Sequence, residues 1–152
     1  MTYTIKFHTK WSDFDANKHM RHTAYNDYAA EARLRFLKEN GFGVAVMEEN
    51  NVGPILFSEN TQFRREIRLG EDISVKLYLE ATSKQGERFK IRHLIYKENG
   101  DLAATISVYL AWIDLTKRKL TIPPKQILET LKHIAKTDDF EEISIQTKEP
   151  IK

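Results

Sequence analysis

The chain has 152 residues, 24 basic against 22 acidic, a net charge of +2 and no cysteine. One domain of ordinary size is expected, large enough to bury about two-thirds of its unfolded surface. Nearly balanced charge calls for no nucleic-acid partner, and the lack of Cys excludes a disulfide framework or a thiolate nucleophile. The start Met1-Thr2-Tyr3-Thr4-Ile5-Lys6 alternates like a strand and lacks the apolar core of a signal peptide. The nearly apolar run from Leu102 to Ile113 contains Thr105, Ser107 and Tyr109 and falls short of the ~20 residues a spanning helix needs. A cytoplasmic protein with no membrane contact is expected.

In chain order, residues 3 to 10 read as a strand with Tyr3, Ile5 and Phe7 on one face. The run Trp11-Ser12-Asp13-Phe14-Asp15-Ala16-Asn17-Lys18-His19 comes next and holds two carboxylates, an amide and an imidazole just ahead of a helix. Residues 24 to 40 form that helix, with Tyr25, Tyr28, Ala29, Ala32 and Phe36 on one stripe, Ala30, Leu34 and Leu37 widening it, and Gly41 as its stop. A stripe so wide suits a helix wrapped by a sheet. Val44 to Glu49 makes a short helical piece ahead of Gly53-Pro54.

The period then changes to two. Strands are expected at 55 to 66, 73 to 81, 89 to 97 and 102 to 114, with a turn near Gly70, a hairpin turn at 83 to 87 and a hairpin at Asn99-Gly100. The last strand is apolar on both faces around 106 to 112 and should be central. After Pro123-Pro124, a short amphipathic helix runs from about Lys125 to Lys136 through Ile127, Leu131 and Ile134. The domain therefore spans 1 to 136, and 137 to 152 is a charged extension, either loose or forming an edge strand through Ile143-Ser144-Ile145. The class is α+β: one strand, a long helix, then four antiparallel strands.

Several readings of the 11 to 19 run compete. Asp13, Asp15 and Asn17 open like a calcium loop, but Lys18 and Ala24 occupy the places that need Gly and Glu. Asp13 is expected to cap a turn or helix. His19 and His22, without Cys or an H-E-x-x-H helix, are a weak metal signal, so no metal or organic cofactor is expected. A helix beginning behind such a run offers unpaired N–H groups to a carbonyl becoming anionic, which suits acyl transfer.

The pattern W-S-D-x-D-x-N-x-H, with the aromatic-rich helix from near Tyr25, resembles the signature of plant and bacterial acyl-carrier-protein thioesterases, within the hotdog group that includes the 4-hydroxybenzoyl-CoA thioesterases. Phe63-Arg64-Arg65-Glu66-Ile67 is similar to a second segment of those enzymes, Y-R-R-E-C. The chain departs from them at Met20-Arg21-His22, where V-N-N is usual, at Ile67 in place of Cys, and at Lys18 where Gly is common. The resemblance implies a hotdog fold, a long helix wrapped by a curved antiparallel sheet of about five strands. It implies hydrolysis of acyl-CoA or acyl-ACP thioesters in fatty acid metabolism, with Asp15, Asn17, His19 and Glu66 catalytic. It also implies a homodimer or homotetramer that builds each site from two chains.

Mechanistically, Asp15 would either attack the acyl carbonyl or act as general base for water. His19 would relay a proton or orient water, and Asn17 would hold substrate or water. Glu66 is the second candidate base, or else a surface carboxylate paired with Arg64 or Arg68. The carbonyl would be polarised within His22, Thr23, Ala24 and Tyr25 or at Arg21, although Tyr25 and Tyr28 also suit core packing. Arg64, Arg65, Arg68 and Lys117-Arg118-Lys119 could meet coenzyme A phosphates or an acidic carrier, or simply be solvated charge. His93 reads as structural, and His8 and His133 lack a constellation. A hydratase or dehydratase acting on enoyl or hydroxyacyl thioesters, and a noncatalytic acyl-binding module, are the alternatives on the same fold.

Overall fold

The computed structural model describes residues 2–145. Its elements are β1 (Tyr3–Phe7), α1 (His22–Glu39), α2 (Val44–Glu49), β2 (Val52–Phe63), β3 (Ile73–Thr82), β4 (Arg88–Tyr96), β5 (Leu102–Asp114), α3 (Lys125–Leu131) and β6 (Lys136–Glu142). A single 3-10 turn, Trp11–Asp13, stands between β1 and α1. The sheet runs β1-β3-β4-β5-β2, with neighbours antiparallel, and β6 adds to β3 in parallel. β1 occupies the Ile73–Leu77 half of the β3 edge, and β6 takes the other half at Leu79 to Thr82.

Alternation in the strands dictates which face meets α1. On β3 the residues Ile73, Val75, Leu77, Leu79 and Ala81 are buried while their neighbours are half-exposed. β4 and β5 repeat the pattern with Ile91, His93 and Ile95 and with Ala104, Ile106 and Val108. α1 lies across this surface. Its Ala24, Ala29 and Ala32 are fully buried, and three side chains that small let the helix sit close to the strands. Tyr28 and Phe36 from the same stripe pack edge-on or tilted against Phe7 and Tyr3 of β1. Beyond the helix, Trp112 stacks on Phe89 and meets Phe42 edge-on, closing the core at its other end. No helix among the described residues is long and apolar enough to cross a membrane.

The curved antiparallel sheet around a long helix agrees with the α+β expectation, and several boundaries differ. β1 stops at Phe7, because the chain turns there: Thr9 Oγ1 donates to the Glu71 carbonyl, and the Lys10 N–H donates to Asp13 Oδ2. α1 begins at His22 rather than 24. β2 begins at Val52, so Pro54 lies inside it; an edge strand tolerates a residue without an N–H. β5 is interior as expected, between β4 and β2.

The C-terminal part departs furthest from expectation. α3 ends at Leu131, and Lys136–Glu142, expected as the end of a helix and the start of an extension, is a sixth strand. Lys-Thr-Asp-Asp-Phe-Glu-Glu has one apolar residue and no periodicity to reveal it. Its place is set by charge and by one ring. Arg92 on β4 binds both Glu80 and Asp139, and Lys136 lies over the Phe140 ring. The expected edge strand at 143 to 145 is therefore displaced to 136–142, with Ile143 only donating its N–H to Thr82. The rest of the expected extension, 146 to 152, lies outside the described residues.

One buried polar contact ties the segment before α1 to the helix. Asp13 is 4% exposed and accepts the Tyr28 phenol and the Lys10 N–H, and burial, reinforced by the neighbouring carboxylate, keeps that phenol protonated. Tyr28→Phe leaves a buried carboxylate short of a donor and is expected to cost about 1–3 kcal/mol in urea unfolding. Asp13→Asn should be less than additive with it, and full additivity in the double-mutant cycle would show that the two groups do not act as a pair.

Candidate active site

The run ahead of α1 folds as a tight hairpin because Asp15 ties its own turn. Asp15 Oδ1 accepts the backbone N–H of Asn17 at 2.9 Å and of His19 at 3.2 Å. The Asp15 N–H donates to the His19 carbonyl, and Phe14 bridges to Met20. Lys18 closes the turn with φ +65°, the left-handed region that glycine adopts without strain. Asp15 Oδ2 takes no hydrogen bond among the described residues and faces solvent with the exposed Asn17 side chain. The two carboxylates thus differ in kind: Asp13 is buried against Tyr28, whereas Asp15 is exposed at the loop.

The hairpin is sewn to a second segment. Met20 N–H donates to the Ile67 carbonyl at 2.8 Å, and Leu69 N–H donates to the Lys18 carbonyl at 2.9 Å. The strand leading into that segment is expected to run to Glu66, but β2 ends at Phe63. Arg64 and Arg65 both donate their N–H to the Ala103 carbonyl, at 2.8 and 3.1 Å, and the chain leaves the sheet there. Glu66 is consequently free of the ladder. Its Oε2 lies 3.1 Å from His19 Nε2, so the structure pairs Glu66 with His19 rather than with Arg64 or Arg68.

The start of α1 forms the third side. Arg21 is the N-cap without a side-chain cap to the helix N–H groups; its guanidinium donates to the Ser12 carbonyl and to Thr23 Oγ1. The first N–H groups of any helix lack an internal acceptor, which here means those of His22 and Thr23. A pocket of about 290 Å³ opens beside them, lined by Met20, His22, Tyr25, Phe63, Arg64, Arg65 and Glu66. Tyr25 and Phe63 meet edge-on at 5.0 Å in its wall. Burial pushes the Tyr25 phenol up from its usual range against a bond from the Ile67 backbone, so the hydroxyl stays protonated. Of the residues expected to bind substrate, His22 and Tyr25 line this pocket. Ala24 is fully buried and the Thr23 hydroxyl is engaged by Arg21, so any part they take is through the backbone.

Phe63 and Met20 also line the pocket, although the sequence names them only within motifs and not as site residues. Phe63, 54% exposed, carried a usable signal as an aromatic residue adjoining two arginines at a strand end. Met20 had none, since apolar residues ahead of helices ordinarily go to the core. Among the described residues, no three of His, Cys, Asp and Glu converge as a metal site. A free carboxylate oxygen, a carboxylate-braced imidazole and two unpaired N–H groups are parts acyl transfer uses; of the residues concerned, Glu66 and His22 line the pocket, while Asp15, Asn17 and His19 lie outside its lining.

A family model described as the thioesterase-like superfamily matches residues 9–131. The chain belongs to that superfamily. A protein of Aquifex aeolicus whose name carries the word esterase is 24% identical over 132 residues, covering 87% of this chain and 99% of its own. Among solved structures, a Staphylococcus aureus protein in complex with CoA superposes with a TM-score of 0.82 at 22% identity, over 97% of this chain and 90% of the other. A Synechocystis 1,4-dihydroxy-2-naphthoyl-CoA thioesterase gives 0.77 at 18% identity, over 88% and 97%. The fold is thus the hotdog fold that the two motifs implied, and the superfamily match includes both the Asp15 hairpin and the Glu66 segment.

Within this member of the superfamily, Lys18 occupies a glycine-like conformation. Lys18→Gly is expected to stabilise the protein by about 1 kcal/mol, since the left-handed strain disappears and the hairpin is otherwise unchanged. Denaturant unfolding checks this; a loss of stability would show that the Lys18 side chain contributes more than its backbone strain costs.

Proposed function

We propose that this thioesterase hydrolyses acyl thioesters of coenzyme A or acyl carrier protein in the cytoplasm, with its reaction centred on Asp15. The observation carrying this reading is the His19–Glu66 contact at 3.1 Å beside the start of α1, in a hairpin that leaves one Asp15 oxygen free. Both ends of that contact are substantially exposed, so it contributes little to stability and its worth is positional.

In this reading the thioester carbonyl lies at the N–H groups of His22 and Thr23, which stabilise the negative charge that develops on its oxygen. Asp15 Oδ2 either removes a proton from the attacking water or itself attacks to give an anhydride that water opens. In both routes the C–S bond breaks and the acid is released. His19, oriented by Glu66, gives a proton to the departing thiolate, and the Asn17 amide holds the water. Arg64 and Arg65 stand at the pocket mouth, where the phosphates of the carrier arm would pass.

The assembly belongs to the same proposal. β2 is twelve residues long and among the described residues pairs with β5 alone, leaving one edge open there, with Leu56 and Phe63 exposed along the strand. An edge that long is a template for association, and a second copy would cover it in a homodimer, or in a tetramer made of two such pairs.

Asp15→Asn is expected to lower thiol release from a panel of acyl-CoAs at least a hundredfold with folding intact, in line with the usual share of a general base or nucleophile, about 100-fold or more. Asp13→Asn should act mainly through stability. Greater kinetic damage from Asp13 would reverse the two assignments. Because Asp15, His19 and Glu66 meet within one chain, Asp15→Asn and Glu66→Gln chains refolded together should stay as weak as each alone, and recovery of activity on mixing would place Asp15 and Glu66 of one site on different chains. Chelation should leave the rate unchanged; loss of activity restored by zinc would place a metal in the reaction.

A further inference from the structure

A second pocket, of about 310 Å³, lies further along α1. Leu34 and Leu37 line it on the helix, with Met47, Leu56 and Phe89 opposite, and Arg33 is the one charged residue among its described lining. The distance from the first pocket follows from helix geometry. Tyr25 lines the first and Arg33 the second, and eight residues separate their positions by about 12 Å along the axis.

Arg33 is fixed from below by a histidine that gives it no charge. His93 is fully buried on the sheet face that meets α1. Its Nδ1 is 2.8 Å from the Ile106 carbonyl, which only accepts, so Nδ1 carries the hydrogen and donates. Its Nε2 is therefore the acceptor for Arg33 Nη1 at 3.2 Å. Burial, reinforced by the adjacent guanidinium, pushes the imidazole down to about 3, so His93 is neutral at working pH. The bond uses one of the five guanidinium donors.

No carboxylate approaches Arg33 within ion-pair distance among the described residues; Glu59 on β2 acts on it only from further away. Burial meanwhile lowers the guanidinium from its usual range, the sign of a cation partly stripped of water. A partly desolvated cation in an apolar pocket, with donors to spare and no close counter-charge, is unfavourable until something anionic arrives. A carboxylate is the best fit, because its two oxygens match the guanidinium fork.

We propose that Arg33 receives a carboxylate at the far end of the acyl group, so that the preferred substrates are thioesters of dicarboxylic acids whose free end reaches this pocket. The proposal rests on the thioesterase reading, since that reading sets the acyl carbonyl at the start of α1. From there a chain of about 12 Å lying along the helix reaches Ala30 at the near side of the second pocket and ends at the guanidinium. A methyl-terminated acyl group of the same length would fill the same pocket and leave Arg33 desolvated and unpaired.

The test is calorimetric binding of two nonhydrolysable thioether analogues of acyl-CoA, equal in chain length, one ending in a carboxylate and the other in a methyl group. Wild type is expected to bind the carboxylate analogue at least tenfold more tightly. Arg33→Met should abolish that preference and Arg33→Lys should keep part of it, with thermal melts confirming that both variants fold. Equal or tighter wild-type binding of the methyl analogue, or a preference that survives in Arg33→Met, would overturn the proposal. Hydrolysis of the two matching thioesters separates the two ideas. A binding preference without release of thiol from either would refute the thioesterase reading and leave Arg33 as assigned. Thiol release with no carboxylate preference would do the reverse.

Discussion

Everything at the site depends on how closely α1 can lie in the hollow of the sheet. Ala24, Ala29 and Ala32 make that possible, since each is fully buried and none holds the helix away from the strands. A larger side chain at any of them would have to be absorbed by a packed interior that relaxes only partially. With the helix seated, its N-terminus is fixed relative to the hairpin by Asp13 and relative to the 64–69 segment by Met20 and Ile67. Three stretches far apart in sequence then meet without any one of them being rigid alone.

The same geometry explains a division of labour among polar groups. Two buried groups are engaged and structural: Asp13 holds Tyr28, and His93 holds Arg33 from the core. Those that are exposed retain unused capacity. Asp15 spends one oxygen on its own hairpin and keeps the other, and the His19–Glu66 pair stands in solvent beside the pocket. A loop that completes its own hydrogen bonds can present side chains outward without needing them for folding.

Much of the fold was legible because apolar spacing reports burial directly. The period-two pattern of 73 to 81 and the Asn99-Gly100 hairpin led to β3, β4 and β5, and the wide stripe of 24 to 40 led to α1. β6 was illegible, because a strand held by Arg92 and by Phe140 carries no apolar alternation. Glu66 falls within the strand expected at 55 to 66 because the sequence has no Gly or Pro between Pro54 and Gly70, whereas the ladder ends at Phe63, where the Ala103 carbonyl accepts two N–H groups. Among the site candidates, Asp15, Asn17, His19 and Glu66 could be named from two short motifs. Their hydrogen bonds could not, since the closeness of residues 19 and 66 is a property of the sheet. The second pocket leaves no trace in the sequence: no motif or spacing sets Arg33 apart from the other charged positions of α1, and only the buried His93 beneath it does so.

The central claim is that this site breaks the C–S bond of an acyl thioester with water as the co-reactant. Turnover of an acyl-CoA in water enriched in oxygen-18, followed by mass spectrometry, tests it most directly. The account expects heavy oxygen in the released acid and one free thiol for each acid formed. An acyl product still joined to its thiol, with the heavy oxygen as a new hydroxyl on the chain, would contradict it and make the protein a hydratase on the same fold.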